Sequence, residues 1–551
     1  MKNNVLWILI AFLVVGCLDD KSNYDYKDIN DFDNWQNVGV KNIQDSYTLY
    51  PGESVTLEPK VRFSIDTLNP DATYAWYIEK DNKLTKVCDQ LFYTHEAVVI
   101  GEYRLILSAT DNKTGVVFSH GVDITVVSPW KNGWMVLSKG GSGESQLSMI
   151  LSKKQSKFVV DIETGKEKSV DTVVYIGQNI NVVPNLGREP YKLVENFIYE
   201  EYAYDVDLQD EVMVLQASGP VELNGNDLSV IGSTKDEFFD GVPANFDPVN
   251  AALSWGGKWL LSSDNYVYEA TMSVATDLHS GRYFKEPIFN KKKIKQLLPY
   301  WKASPYGNIA VIGIDENNTF FGIVDQCSVK NYYEGDFTIV AGGNYTGSFM
   351  ELGSLKGADE SLFKNIDGEY IFHAWEDYPR NKGIYLSILK RGSDYYWHNY
   401  TFEFDGYRYK PGMKMIVSKS KSGLLDASVM NRYQAASVLP WKKLLMIASG
   451  NTLHGFDYVR SVAGFVRILN APVYGSEIVD IAVKDYKSDK NNAHLAVALK
   501  SGEIYVYEVK YDKGEETVEL LEIYHKDGFG EIVDLEYKFG SGSRPGSSGL
   551  Y

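Results

Sequence analysis

Eight histidines, three cysteines and many carboxylates are the residues of this 551-residue chain able to do chemistry, and their spacing builds no recognisable reaction centre. His95, His120, His279, His373, His398, His454, His494 and His525 contain no His-Glu-x-x-His or other close metal pair. His95-Glu96 is followed by Val99 where a second ligand would stand. Cys17, Cys88 and Cys327 lack metal-ligand spacing, so no metal or cofactor is expected. A serine nucleophile needs a Gly-x-Ser-x-Gly elbow between a strand and a helix. Gly140-Gly141-Ser142-Gly143-Glu144 reads instead as a hairpin loop, and Gly540–Gly549 as a disordered end. Asp205-Val206-Asp207-Leu208-Gln209-Asp210 has the spacing of a calcium loop without its turn glycine or terminal glutamate, and reads as a solvated turn. No Gly-rich loop opens a helix to cradle phosphate. Lys291-Lys292-Lys293-Ile294-Lys295 reads as a solvated basic loop. With no catalytic motif, an enzyme is not the expected class.

The aromatic residues offer binding chemistry. Tyr395-Tyr396-Trp397-His398-Asn399-Tyr400 leads into Phe402 and Phe404, and on a strand Tyr396, His398 and Tyr400 share one face while Tyr395, Trp397 and Asn399 share the other. Packing between sheets is the commoner fate of such rings. The functional alternative is a platform on which Tyr396, Trp397 and Tyr400 stack against sugar rings or peptide side chains. Leu298-Pro299-Tyr300-Trp301 places Tyr300 and Trp301 in a second candidate loop.

One cysteine has a chemistry of its own. Lys2 precedes an uncharged apolar run, Val5 to Val15, closed by Gly16-Cys17. That run suits a signal peptide and falls short of the roughly 20 residues a membrane-spanning helix needs. A small residue before a cysteine lets a peptidase cut there and frees the thiol to take a diacylglycerol. Cys17 is therefore the expected lipidation site, on residues 1–16 as signal and 17–37 as a polar tether. Asp19 and Asp20, just behind it, resemble the surface-export signal of Bacteroidota lipoproteins.

Net charge is −18, which argues against nucleic acid, whose phosphates need a basic face, and against charge-driven adhesion to anionic lipid. Cys88 and Cys327 lie far apart, so no disulfide framework is expected.

Apolar segments are short, alternate with period two and break at Gly, Asn, Asp and Ser, which predicts an all-β chain. Residues 38–128 read as an Ig-like sandwich, with Tyr74-Ala75-Trp76-Tyr77-Ile78 placing a tryptophan where such domains bury one. From 129 to 539 a strand–turn–strand unit recurs, at Trp134–Ser138 with Gln146–Ile150, Val212–Gln216 with Leu228–Ile231, Trp259–Ser262 with Tyr266–Ala270, Ile309–Ile314 with Thr319–Val324, Tyr370–Trp375 with Ile384–Ile388, Leu444–Ala448 with Thr452–Phe456, and Leu495–Leu499 with Glu503–Glu508. Seven such units predict a seven-bladed β-propeller, ahead of a Gly/Ser-rich tail at 540–551; a pair of β-sandwiches is the competing architecture. Glu477-Ile478-Val479-Asp480-Ile481 returns as Glu531-Ile532-Val533-Asp534-Leu535. The second copy has no hairpin after it, and the unit at Trp134 has no strand before it. Ring closure by Glu531–Lys538 completing the Trp134 unit is therefore expected.

The paired Tyr-x-Trp and Gly101-Glu102-Tyr103-Arg104-Leu105-Ile106-Leu107 segments resemble the PKD-like branch of Ig-like domains. With the lipobox cysteine and Gly133-Trp134-Met135-Val136-Leu137-Ser138 opening the next region, the layout resembles the PKD-like lipoproteins of Bacteroidota. The resemblance implies an outer-membrane, lipid-anchored accessory subunit facing the cell exterior. Its partner would be a SusC/SusD-like TonB-dependent transporter of oligopeptides or glycans. It brings no catalytic residues. The alternative is a surface polysaccharide hydrolase or lyase with carboxylates in a central funnel.

Overall fold

The computed structural model describes residues 30–32, 39–65, 70–80, 82–130, 132–160, 167–196, 211–238, 241–254, 257–271, 283–288, 292–299, 311–323, 349–354, 357–378, 382–404, 415–460, 462–485 and 493–538. The chain is all-β and divides between Ser128 and Pro129 into two units.

In the first unit a five-stranded sheet runs in the order Ser46–Leu49, Val117–Val126, Gly101–Asp111, Ala72–Lys80, Lys83–Cys88. Its edge strand Ser46–Leu49 pairs in parallel with Asp123–Val126. A second layer comes from Ser54–Leu57 paired with Tyr93–Glu96. Period-two alternation decides what is inside: Leu105, Leu107 and Ala109 point inward from one strand, Val122, Ile124 and Val126 from its neighbour. Trp76 is fully buried among them, and its indole N–H donates to the Leu91 carbonyl at 3.0 Å, so the one polar atom of the ring is satisfied.

In the second unit, antiparallel sheets follow one another along the chain. Pro190–Asn196, Pro248–Ser254, Ile294–Pro299, Glu369–Tyr378, Tyr433–Leu439 and Ile478–Lys484 each open a sheet. The first sheet begins at Gly133–Lys139 and takes its opening strand from the far end of the chain: Glu531–Lys538 pairs antiparallel with Gly133–Lys139, with Trp134 opposite Tyr537 and Leu137 opposite Asp534. The last two sheets join through their outer strands, Arg467–Leu469 running parallel to Thr517–Glu519. Entry to the closing strand needs glycine, since a Cβ on Gly502, which has φ +85°, would sit 2.6 Å from the Gly530 carbonyl.

The second strand of each sheet is buried on both faces. In Leu444–Ser449, Leu444, Met446 and Ala448 enter one core cluster while Leu445 and Ile447 enter another. His494–Leu499 divides likewise between two cores. A strand covered on both faces reads as a continuous apolar run, which is why these segments stand out in the sequence.

One expected hairpin shifts by a strand, and another keeps its expected pairing but opens its sheet. Val212–Gln216 pairs with Val221–Asn224, and the expected partner around Val230 lies one strand further out. Tyr370–Trp375 belongs to an opening strand, paired with Lys382–Arg391, and two more strands complete that sheet.

Candidate functional site

Seven opening strands share one irregularity. Each loses register against its partner by one extra residue: Tyr191, Val249, Lys295, Ile371, Gln434, Val479 and Val533 are the residues stepped over. A bulge sharpens the local twist and re-aims the following side chain. At four of these strands that next residue is Asn250, Gln296, Asp480 or Asp534, and each reaches a neighbouring opening strand. Asn250 Nδ2 donates to the Leu297 carbonyl at 3.0 Å, and Gln296 Nε2 to that of Tyr370 at 3.2 Å. Asp480 Oδ2 accepts from the Leu535 N–H at 2.9 Å, and Asp534 Oδ2 from the Leu193 N–H at 2.6 Å. The Tyr433 hydroxyl donates to the Ile371 carbonyl at 3.3 Å, and that of Tyr191 to the Pro248 carbonyl. Tyr433–Leu439 also packs directly against Ile478–Lys484, so the opening strands from Pro190 to Lys538 form a closed, propeller-like ring.

Asp480 and Asp534 also hydrogen-bond each other, which requires a proton between them. Burial raises both carboxyls; the charge of Asp534 raises Asp480 further, while the hydrogen bond from Asp480 eases Asp534 back down. A glycosidase holds its two carboxyls about 5 to 10 Å apart with a sugar between them. These two touch, and each has an oxygen committed to a backbone N–H.

The histidines follow the same rule of commitment. His95 Nε2 shares a 2.6 Å hydrogen bond with the Tyr103 hydroxyl, His398 Nδ1 one of 2.8 Å with Tyr400, and His494 Nδ1 one of 2.7 Å with Tyr175. His373 bonds the Tyr385 hydroxyl through Nδ1 and Gln296 Oε1 at 3.0 Å through Nε2. Burial holds His373 down to about 3 and His398 down to about 4, so both are neutral at physiological pH.

The aromatic strand, Asp394–Phe404, is not an open platform. Trp397 packs edge-on against Phe456 with ring centroids 5.3 Å apart, in the core with Leu445 and Ile447. Tyr400 stacks on Tyr385 at 6.0 Å and packs beside Phe363. The strand is third in its sheet, flanked by Lys382–Arg391 and Met415–Leu424, and core packing takes Tyr400 from one face and Tyr395 and Trp397 from the other. Trp397 and Tyr400 therefore cannot meet a ligand. Tyr396 keeps a partly exposed ring, beneath the Arg391 guanidinium at 5.3 Å. Tyr300, Trp301, Cys17, Asp19 and Asp20 lie outside the described residues, as do Cys327 and Asp205–Asp210. The basic run is less free than its sequence suggests: Lys292 Nζ lies 3.5 Å from Asp315 Oδ2, and Lys293 Nζ 3.7 Å from the Tyr266 ring centroid.

A second polar centre went unrecognised in the sequence. Lys258 Nζ lies 2.5 Å from Glu222 Oε2, 2.7 Å from Glu237 Oε2 and 3.3 Å from Glu211 Oε1, and all four side chains are buried. Thr234 Oγ1 donates to Glu222 Oε1 at 2.8 Å, and the Tyr283 ring lies 5.5 Å from the ammonium. Glu211 and Glu222 sit on the second and third strands of one sheet, Lys258 on the second strand of the next. Burial raises Glu211, and raises Glu237 to about 7, while the carboxylates around it push Lys258 up against the opposing effect of burial. The available signal was a charge inside an apolar strand: Gly257-Lys258-Trp259-Leu260-Leu261 and Val221-Glu222-Leu223.

An all-β chain with an Ig-like sandwich and a closed ring of antiparallel sheets is the class these features define. The PKD-like family is matched over residues 17–176, a span that starts at Cys17 and ends within the strand Glu167–Asn179 of the ring's first sheet. No curated protein matches the chain by sequence. Among solved structures, a quinoprotein alcohol dehydrogenase-like protein from Bacteroides thetaiotaomicron is similar at 9% identity and TM-score 0.34, over 90% of this chain and 97% of that one. Hsv2 of Kluyveromyces marxianus is similar at 10% identity and TM-score 0.33, over 69% and 94% respectively. PorZ, a surface component of the type-IX secretion system of Porphyromonas gingivalis, is similar at 9% identity and TM-score 0.32, over 80% and 61%.

Proposed function

We propose that this protein is a non-catalytic accessory lipoprotein of the bacterial outer membrane. Cys17 carries the lipid, Asp19 and Asp20 direct export to the cell exterior, and the ring is a seven-bladed β-propeller. The body docks on a SusC/SusD-like TonB-dependent transporter and assists capture of oligopeptides or glycans. The observation that carries the reading is the commitment of the ring's polar groups. Asn250, Gln296, His373, Asp480 and Asp534 bond one another or neighbouring strands, which makes the ring a rigid body for presenting surface rather than a reaction vessel. Two further observations support it. The family match begins at Cys17 itself. The sandwich leaves Leu84 and the consecutive Val98, Val99 and Ile100 exposed, apolar side chains of the kind that partners cover.

Affinity purification of the full-length protein from detergent-solubilised outer membrane tests the proposal. SusC/SusD-like subunits should co-purify and should be lost when Val98 and Ile100 are both changed to aspartate. Recovery of the protein without any such subunit would remove the docking role. Turnover of candidate glycans or peptides by the purified protein would remove the non-catalytic one.

A further inference from the structure

We propose that Lys258 and Glu222 are partners in a spontaneous isopeptide cross-link, an amide between Lys258 Nζ and Glu222 Cδ that covalently staples two neighbouring sheets of the ring. The inference is independent of the membrane role and rests on the buried cluster alone.

Amide formation between an amine and a carboxylic acid needs three things: contact, a place for the amine's extra proton, and a protonated carboxyl whose hydroxyl can leave as water. Contact is given. With Nζ 2.5 Å from Glu222 Oε2, ordinary carboxyl geometry puts the carboxyl carbon within the roughly 3–3.5 Å from which attack proceeds. Both side chains are fixed by burial, so the encounter carries no further entropic cost.

The neighbours supply the proton chemistry. Glu237 Oε2, 2.7 Å from the same nitrogen, is placed to take the ammonium proton, and burial has already raised its basicity. Thr234 Oγ1 donates to Glu222 Oε1, the oxygen on which negative charge develops as the carbon becomes tetrahedral. Three carboxyls crowd one amine, so at least one of them holds a proton. With that proton on Glu222 and Glu237 ionised, the balance closes. The Lys258 ammonium gives one proton to Glu237, and the neutral amine attacks Glu222 Cδ. The C–N bond forms, the C–O bond of the protonated oxygen breaks, and the amine's second proton leaves with that hydroxyl as water. An amide, one water and protonated Glu237 remain, with no change in total charge. Glu211 Oε2 and the Tyr283 hydroxyl, both buried and without a hydrogen-bond partner among the described residues, are groups that can hold the released water. No change of oxidation state occurs, so no co-reactant is required.

The bond would do for this unit what a disulfide does elsewhere. Cys88 is a free thiol, and no sulfur bridges the ring's sheets among the described residues. The surroundings favour the amide over the ion pair. An isolated charge in this interior is costly, and the reaction replaces an ammonium and a carboxylate with neutral groups.

Tryptic peptide mapping of the full-length protein, purified natively and then denatured, reads the bond directly. Cleavage after Lys258 should be absent, and residues 193–235 should be recovered joined to 236–282 at the summed mass less one water. Fragmentation should place the junction on Glu222 and Lys258. Glu222→Ala and Lys258→Met should each abolish the linked species, and Glu237→Gln should slow its appearance in freshly refolded protein at least tenfold. Recovery of wild-type Lys258 only in linear peptides overturns the proposal. A junction on Glu211 or Glu237 instead overturns the assignment to Glu222.

Discussion

Deleting residues 531–551 should collapse the ring, whereas deleting residues 539–551 alone should leave it intact. The closing strand buries Ile532, Leu535 and Tyr537, and at about 2 kcal/mol for each buried side chain their loss amounts to about 6 kcal/mol. It also carries Asp534, which accepts from the Leu193 N–H, and Leu535, whose N–H donates to Asp480. Hydrogen bonds to carboxylates contribute about 1.5–3 kcal/mol each, so the two add about 3–6. The seven-pair ladder with Gly133–Lys139 goes as well, and Trp134 loses the Tyr537 ring packed 4.7 Å from its own. The total of about 10 kcal/mol equals the whole stability of an ordinary domain, about 5–15 kcal/mol. Near-ultraviolet circular dichroism and limited proteolysis during a thermal ramp separate the outcomes. The shorter deletion should melt like the full chain. The longer one should show no cooperative transition for residues 129–530 while the sandwich stays protease-resistant. A shift of only a few degrees, with cooperativity kept, would refute closure as the source of the ring's stability.

Three further outcomes follow from particular side chains. His373 has its folded pKa held down to about 3 against an unfolded value near 6.5. Its contribution is therefore complete above about pH 6.5 and is lost as pH falls towards 3, by up to about 5 kcal/mol; chemical denaturation of His373→Gln should show a flatter acid limb than wild type, and an unchanged limb would contradict the assignment. Trp397→Ala and Tyr400→Ala should each cost about 3–5 kcal/mol by denaturant titration, as emptied core sites do, while Tyr396→Ala should stay within about 0.5 kcal/mol; the reverse order would restore the platform. Cys17→Ser should leave both units folded by circular dichroism but move the protein to the soluble fraction, and its sedimentation with membranes lacking the transporter would refute lipid anchoring.

The ring's outline was legible because its second strands are buried on two faces and so appear as unbroken apolar runs: Leu444–Ser449, His494–Leu499 and Trp259–Ser262 were each found in place. Register was not. Tyr370–Trp375 opens its sheet, yet Tyr370 is buried and Ile371, Phe372 and Ala374 pack against a neighbouring core, so it reads like an interior strand. Around Val221–Asn224 the opposite holds. That strand has only four residues and a glutamate at its centre, so Leu228–Ile231 reads as the stronger partner in the sequence. The closing strand was legible for a reason the structure explains. Asp480 and Asp534 do the same job one sheet apart, each accepting from a backbone N–H on the next opening strand, and the same job selects the same five-residue motif.

The candidate sites divide along the same physical line. A repeated structural task leaves a repeated motif, and an apolar core leaves a periodicity, but a single cluster assembled from four separate elements leaves neither. Glu211, Glu222, Glu237 and Lys258 meet only because two sheets pack face to face, and each alone is one charge among 128. What each does violate is the rule for its own strand. Lys258 and Glu222 stand at positions whose neighbours are apolar, where an unpaired charge would cost several kcal/mol. Each therefore needs a partner of opposite sign from another element. Pairing every such misplaced charge in an all-β chain with one of opposite sign yields a short list of candidate contacts, and Lys258 with Glu222 would stand on it. The aromatic strand shows the converse error. Rings on both faces of Asp394–Phe404 read as surplus available for binding, yet neighbouring cores take up Tyr395, Trp397 and Tyr400, and those rings are what fill the space. Aromatic richness therefore marks a binding surface only where the rings are free of core packing, and Tyr395, Trp397 and Tyr400 are not.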